Sequence, residues 1–436
     1  MNPLRRKVPG LLLGQSFRRY WTAQAVSLMG DQISLMAIPL AAVVVLGADA
    51  AEMSLLKTAE LLPALLLSLP AGAWADRRAR RRHVMIAADL ARAALLFSLP
   101  VAYAFGSLTF GQLYAVAFAV GAMTVLFDVC NVTLLASLLR TERYVQGNSL
   151  VNGSRSMAGL AGPGVGGLLV QVLTAPLALL ADAVTYLVSA ERLARISPVE
   201  PPPAEREKGH FTAGMRWVLK DPSLRAMFGA SATVQFFNFV FGTLFVLYAT
   251  QELGLSPGLL GAILSGAAVG GLIGAIGSGA VVRRIGVGPA AAVGFAGFTL
   301  PLMLVPLADG PRPLVVATLF AAEFLSCCGV MLADISAGSL QLALVPAALR
   351  SRVLGAYRML THGFRPLGAL AAGALGTAIG LRPSLWIGTV GAVLSLLWLI
   401  GSPVIRMRTL PVIEELPPKR PAEGAVGPKE ATSQRS

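Results

Sequence analysis

Four carboxyls stand inside long apolar runs of this sequence: Asp31 in LMGDQIS, Asp128 in FDVCN, Glu323 in AAEFLS and Asp334 in LADIS. Two guanidinium groups, those of Arg155 and Arg358, sit at comparable depth in other apolar runs. An ionisable group in such a setting is costly unless it faces a partner or a cavity, so each marks either a structural pair or a working site. The chemistry open to the acids is reversible protonation, since a buried carboxyl can exchange a proton for a cation or a ligand as its surroundings change. Matching depth predicts that Asp128 pairs with Arg155, and it sets Asp334 level with Arg358. Lys57 stands three residues before Glu60, on the same helical face. Gln32, Asn131, Gln235 and Asn238 are candidates to line a cavity between these groups. A purely structural pair remains the alternative for every acid.

These residues are carried by elements that must span a bilayer. Of the 436 residues 55% are hydrophobic and only 13% charged, with a mean hydropathy of +0.69. A soluble domain carries about a quarter charged residues. A spanning helix needs about 20 mostly apolar residues, which predicts twelve spans: 20–46, 52–75, 84–105, 108–139, 145–174, 175–196, 222–252, 257–282, 288–308, 312–346, 350–380 and 382–404. The division between the fifth and sixth falls around Thr174–Pro176. The net charge of +14 comes from short basic clusters in alternate connections, which reads as membrane topology rather than a nucleic-acid surface. The expected organisation is a cytoplasmic tail (1–19), a six-helix half (20–196), a cytoplasmic linker (197–221), a second six-helix half (222–404) and a disordered cytoplasmic tail (405–436). Within the linker, FTAGMRWVL is expected to form an amphipathic helix. Cys130, Cys327 and Cys328 lack metal-site spacing and read as small buried residues. No cofactor is expected, and no nucleotide loop or nucleophile–base constellation suggests an enzyme.

The halves repeat. An offset of 203 residues lays Arg155 on Arg358, Pro163 on Pro366 and Asn131 on Asp334. Such a parallel duplication places a binding site between the halves near the bilayer midplane.

Two motifs carry a family resemblance over roughly residues 20–404. GAWADRRARRR offers Gly72, Asp76, Arg77, Arg80 and Arg81, with Ala79 where a second glycine is usual, and is followed by DLARA. It resembles the signature loop of the major facilitator superfamily. AGLAGPGVGGLL, with Gly162, Pro163, Gly166 and Gly167, resembles the Gly-Pro segment of that superfamily's drug, siderophore and macrolide exporters. The resemblance implies an all-α fold of twelve transmembrane helices in two pseudo-symmetric halves, a plasma-membrane location, a monomer, and alternating access driven by protons. It also implies efflux of a small, partly apolar compound; an uptake symporter and a non-transporting receptor are the alternatives. Asp76 would then act in gating, capping a helix or meeting Arg350 or Arg352 of the facing half. Gly266, Gly270 and Gly274 of the eighth span, spaced by four, are expected to pack against the fifth span. The fourth span lacks the arginine that many such exporters carry, so either Arg155 substitutes for it in coupling or coupling takes a different route.

Overall fold

The computed structural model describes residues 14–76, 80–197, 211–346 and 349–410. Arg77, most of both expected tails and the first part of the linker lie outside these residues. Twelve long helices form the bundle: α1 Gln15–Val45, α2 Ala50–Asp76, α3 Arg81–Ala104, α4 Phe110–Leu138, α5 Thr141–Leu173, α6 Ala175–Ala194, α8 Pro222–Glu252, α9 Pro257–Ile285, α10 Val287–Leu307, α11 Arg312–Leu344, α12 Arg350–Ile379 and α13 Leu381–Ile400. The short α7, Phe211–Lys220, is the expected amphipathic helix. It buries Val218 in a small cluster with Leu224, Val345, Val353 and Tyr357 while Trp217 and Leu219 stay exposed. Among the described residues, nine of the twelve helices are long and apolar enough by composition to cross a membrane.

An even number of spans puts both chain ends on one face, here called the terminal face. The duplication is visible in local backbone detail. α1 and α8, the first helices of the two halves, both finish in a π-helical turn, at Ala41–Val45 and Tyr248–Glu252. Both turns lead into a glycine of positive φ, Gly47 at 70° and Gly254 at 62°. This feature repeats at an offset of 207 residues rather than 203, so the halves differ by a few inserted positions.

Packing divides the bundle by depth. One apolar core, containing Leu40, Leu56, Leu99, Leu113, Leu179, Leu244, Leu260, Leu319 and Leu385, runs across both halves near the face opposite the termini. Toward the terminal face the cores separate, one around Phe17, Met85 and Phe127, the other around Met227, Val287 and Phe295. Three hydrogen bonds join the halves among the described residues. Gly164 N–H donates to Ser265 Oγ at 2.7 Å, Gly258 N–H to Gln171 Oε1 at 3.0 Å, and Gln251 Nε2 to the Ala48 carbonyl at 3.2 Å. All lie on the side away from the termini. Among the described residues, the halves are therefore hydrogen-bonded to each other on the face away from the termini.

The expected boundary between the fifth and sixth spans falls where the sequence put it. α5 and α6 are joined by Thr174 alone, at φ 84° and ψ 157°. The equivalent junction between α12 and α13 is Gly380, at φ 87° and ψ 172°. This region is essentially reserved for glycine, and holding a side chain there costs about 1–3 kcal/mol. Thr174→Gly should raise the thermal stability of the purified protein by about 1 kcal/mol, and Gly380→Thr should lower it, both read as shifts of the unfolding midpoint in detergent.

Candidate functional site

The site grows from α3. Asp89 and Arg92, three residues apart, form an ion pair with side chains at 0% and 2% exposure. A guanidinium in this position survives only with several partners. Ser189 Oγ donates to Asp89 Oδ2 at 2.7 Å. The Arg92 guanidinium lies 4.6 Å from the Phe127 ring centroid and 4.2 Å from that of Tyr186, at cation–π range. Tyr186 then donates its hydroxyl to Asp31 Oδ1 at 2.6 Å. A second acid, Asp182, is fully buried one helical turn earlier on α6 and accepts from Ser34 and from Thr185 Oγ1, the latter at 2.9 Å. Gly30 makes this crossing possible: a Cβ there would run into Thr185 Oγ1 and Asp182 Oδ1. Asp89, Arg92, Tyr186 and Asp31 thus form one chain of contacts across α3, α6 and α1, and Asp182 is held beside it by Ser34 and Thr185.

Asp31 stands out in the sequence by its apolar surroundings, whereas Asp89 and Arg92 lie close to the basic loop. Their i,i+3 spacing was the available signal, and only the approach of α6 made them central.

Asp128 and Arg155 do not form the expected ion pair. No salt bridge within 4 Å joins them, and both are exposed on α4 and α5. Equal depth places two residues at one height but leaves their azimuth around the bundle open. Asn131 is held by α1, accepting from the Tyr20 hydroxyl at 2.6 Å and from Gln24 Nε2 at 3.1 Å. Lys57 and Glu60 do pair, at 2.7 Å.

Two cavities meet at Asn238 and Phe239. The larger, about 640 Å³, lies in the second half and is lined by Gln235, Asp334, Tyr357, Arg358, His362 and Arg365, among others. The smaller, about 280 Å³, lies between the halves against Met36, Leu56, Lys57, Glu60, Phe245 and Leu264. Gln32 and Asn131 line neither. Glu323 sits on α11 outside both, next to the α9 contact made by Phe320 and Phe324.

The glycines sort differently from expectation. Gly162 and Gly166 face α1, at Gln32, Ile33 and Met36. Gly164 and Gly167 meet Ser265, Pro257 and Gly261 of α9, so the α5–α9 contact exists as expected. Gly266, Gly270 and Gly274, however, pack against Phe320, Phe324 and Cys328 of α11, within their own half. A small-residue stripe marks close approach without naming the neighbour.

In the basic loop, Gly72 lies on α2, Asp76 ends that helix, Arg80 precedes α3 and Arg81 opens it. The side chains of Asp76 and Arg352 and all of Arg77 fall outside the described residues. Arg82 donates to the carbonyls of Ala194 and Ile196, and Arg19 to that of Arg195. These two arginines satisfy carbonyls left open at the end of α6.

Residues 20–365 match the family model of the Major Facilitator Superfamily. The chain belongs to that superfamily. It is 28% identical over 378 residues to the multidrug efflux pump Tap of Mycobacterium tuberculosis, covering 83% of this chain and 87% of that protein. Among solved structures it resembles the nucleoside transporter NupG, at 14% identity and a TM-score of 0.71, over 88% of this chain and 98% of that one. It also resembles an inward-facing bacterial homologue of the iron transporter ferroportin, at 17% identity and a TM-score of 0.66, over 92% and 99%. The chain is a multi-pass membrane transporter of small molecules and not an enzyme.

Removing one member of the buried pair should cost far more than removing both. Arg92→Met strands Asp89 and is expected to destabilise the superfamily member by about 3–5 kcal/mol. Asp89→Asn combined with Arg92→Met should recover part of that loss, measured by thermal unfolding in detergent and by the folded yield from membranes.

Proposed function

We propose that this protein is a proton-coupled exporter of a small, partly apolar compound, working by alternating access with both termini in the cytoplasm. The observation that carries the reading is the composition of the buried network. Asp89 pairs with Arg92, Asp31 is linked to the same cation through Tyr186, and Asp182 stands one turn from Tyr186 on α6, so three carboxyls share one positive charge and the excess could be balanced by a bound proton. Gln32, the neighbour of Asp31 on α1, packs at Gly162 of α5, the helix that meets α9 of the second half through Gly164 and Gly167. A proton bound at Asp31 would loosen the Tyr186 contact and with it the hold on Arg92, linking protonation to the packing of α1 on α6. The likeness to a multidrug efflux pump and the Gly-Pro segment of α5 favour export. The strong bias of Lys and Arg toward the terminal face favours a cytoplasmic location for that face in the plasma membrane. Asp76, Arg77, Arg80 and Arg81 would act at the cytoplasmic gate. Asp128 and Arg155, with Asp334 and Arg358 opposite, would face the transport path, and the protein would act as a monomer.

The test uses inside-out vesicles with an acid interior and a pH-sensitive dye. Addition of a transported compound should release protons, and Asp31→Asn should abolish that release while leaving the protein folded in the membrane. Unchanged release in Asp31→Asn would remove that residue from coupling; cell-associated compound that rises on expression would reverse the direction.

A further inference from the structure

The wall of the large cavity carries more positive than negative charge, and its cations differ in how firmly they are held. Arg365 is committed to the protein. With the Gln235 amide turned so that its oxygen faces α12, that oxygen accepts from Arg365 Nη2 at 2.6 Å and Nε at 2.9 Å. The same guanidinium lies 5.3 Å from the Phe239 ring centroid. Tyr357 is likewise occupied, hydrogen-bonded to the Met227 carbonyl at 2.9 Å and to Ser231 at 2.7 Å. Arg358 is not committed: it is exposed to the cavity, and among the described residues no ion pair within 4 Å and no hydrogen bond uses its guanidinium. Asp334 is the one carboxylate lining this cavity, and it forms no ion pair within 4 Å.

The adjoining small cavity has the opposite character. Met36, Met53, Leu56, Phe245 and Leu264 supply an apolar lining, and its two charges, Lys57 and Glu60, neutralise each other at 2.7 Å. Phe239 and Asn238 border both spaces, so the basic chamber and the apolar one adjoin at these residues. A free guanidinium beside an aromatic and apolar slot suits a carboxylate, which it can grip with two parallel hydrogen bonds. A lipophilic cation would meet the same guanidinium as a like charge.

We propose that the central site binds amphiphilic organic acids, with the carboxylate on Arg358 and the apolar body lying along Phe239 into the smaller cavity. Asp334, the one carboxylate in that lining, opposes a bound acid by its like charge. This deepens the transport reading by naming its substrate class, but binding itself requires neither a proton gradient nor movement.

The test is equilibrium binding to the full-length protein in nanodiscs, using three dansyl probes of matched size: dansylglycine, its neutral carboxamide and a trimethylammonium analogue. Dansylglycine should bind about tenfold tighter than either other probe. Arg358→Gln should remove that preference while leaving the carboxamide within about twofold of its original affinity. Asp334→Asn should tighten dansylglycine alone, a gain of function that misfolding cannot mimic. Equal or tighter binding of the cation, a preference that survives Arg358→Gln, or no saturable dansylglycine binding would each overturn the proposal. Acid-selective binding alongside failed proton release in vesicles would overturn the coupling and leave the acid site standing.

Discussion

Arg92 cannot leave the protein interior, and the first half is arranged around that fact. Its guanidinium is nearly without solvent, in a segment where a lone charge would cost several kcal/mol. Asp89 supplies charge, Phe127 and Tyr186 supply ring faces, and Ser189 fixes the carboxylate. Each of these partners comes from α3, α4 or α6, so satisfying one cation determines how three helices meet. Tyr186 carries the constraint onward to Asp31 on α1. Gly30 lets α1 approach closely enough to receive it.

The second half solves the same problem more loosely. Arg365 is fixed by Gln235 and Phe239, while Arg358 and Asp334 face open volume. The first half thus encloses Arg92 and Asp89, while the second displays Arg358 and Asp334 to a cavity. Under the proposed function, that division would set the coupling group in one half and the ligand's charge partner in the other. Rocking of one half on the other would bring the two into communication without breaking either network.

Much of this was legible in the sequence. Spans, linker helix and the one-residue break at Thr174 follow from hydropathy and proline placement, which act locally. The two-half repeat showed in Arg155 and Arg358, and the backbone adds the paired π-turns that no residue pattern reveals. The site was legible only in part, because which side chains meet depends on helix rotation and crossing. Asp128 and Arg155 share a depth yet do not pair. The Gly266–Gly270–Gly274 stripe signalled a close contact but belongs to α11 rather than α5. The enclosure of Asp89 and Arg92 is not legible locally because it comes from α6, some hundred residues away in the chain.

The far seam between the halves contains backbone-to-side-chain hydrogen bonds and bare glycine contacts, with no ion pair among the described residues. Its closure thus depends on shape and dispersion rather than on charge. Ionic strength, which screens exposed ion pairs, has little to act on there, so opening at this face should be indifferent to external salt. The variables that do act are side-chain volume at Gly164, Gly167 and Gly261 and the lateral pressure of the surrounding lipid. A seam closed in this way answers to the bilayer around it rather than to the ions on either side.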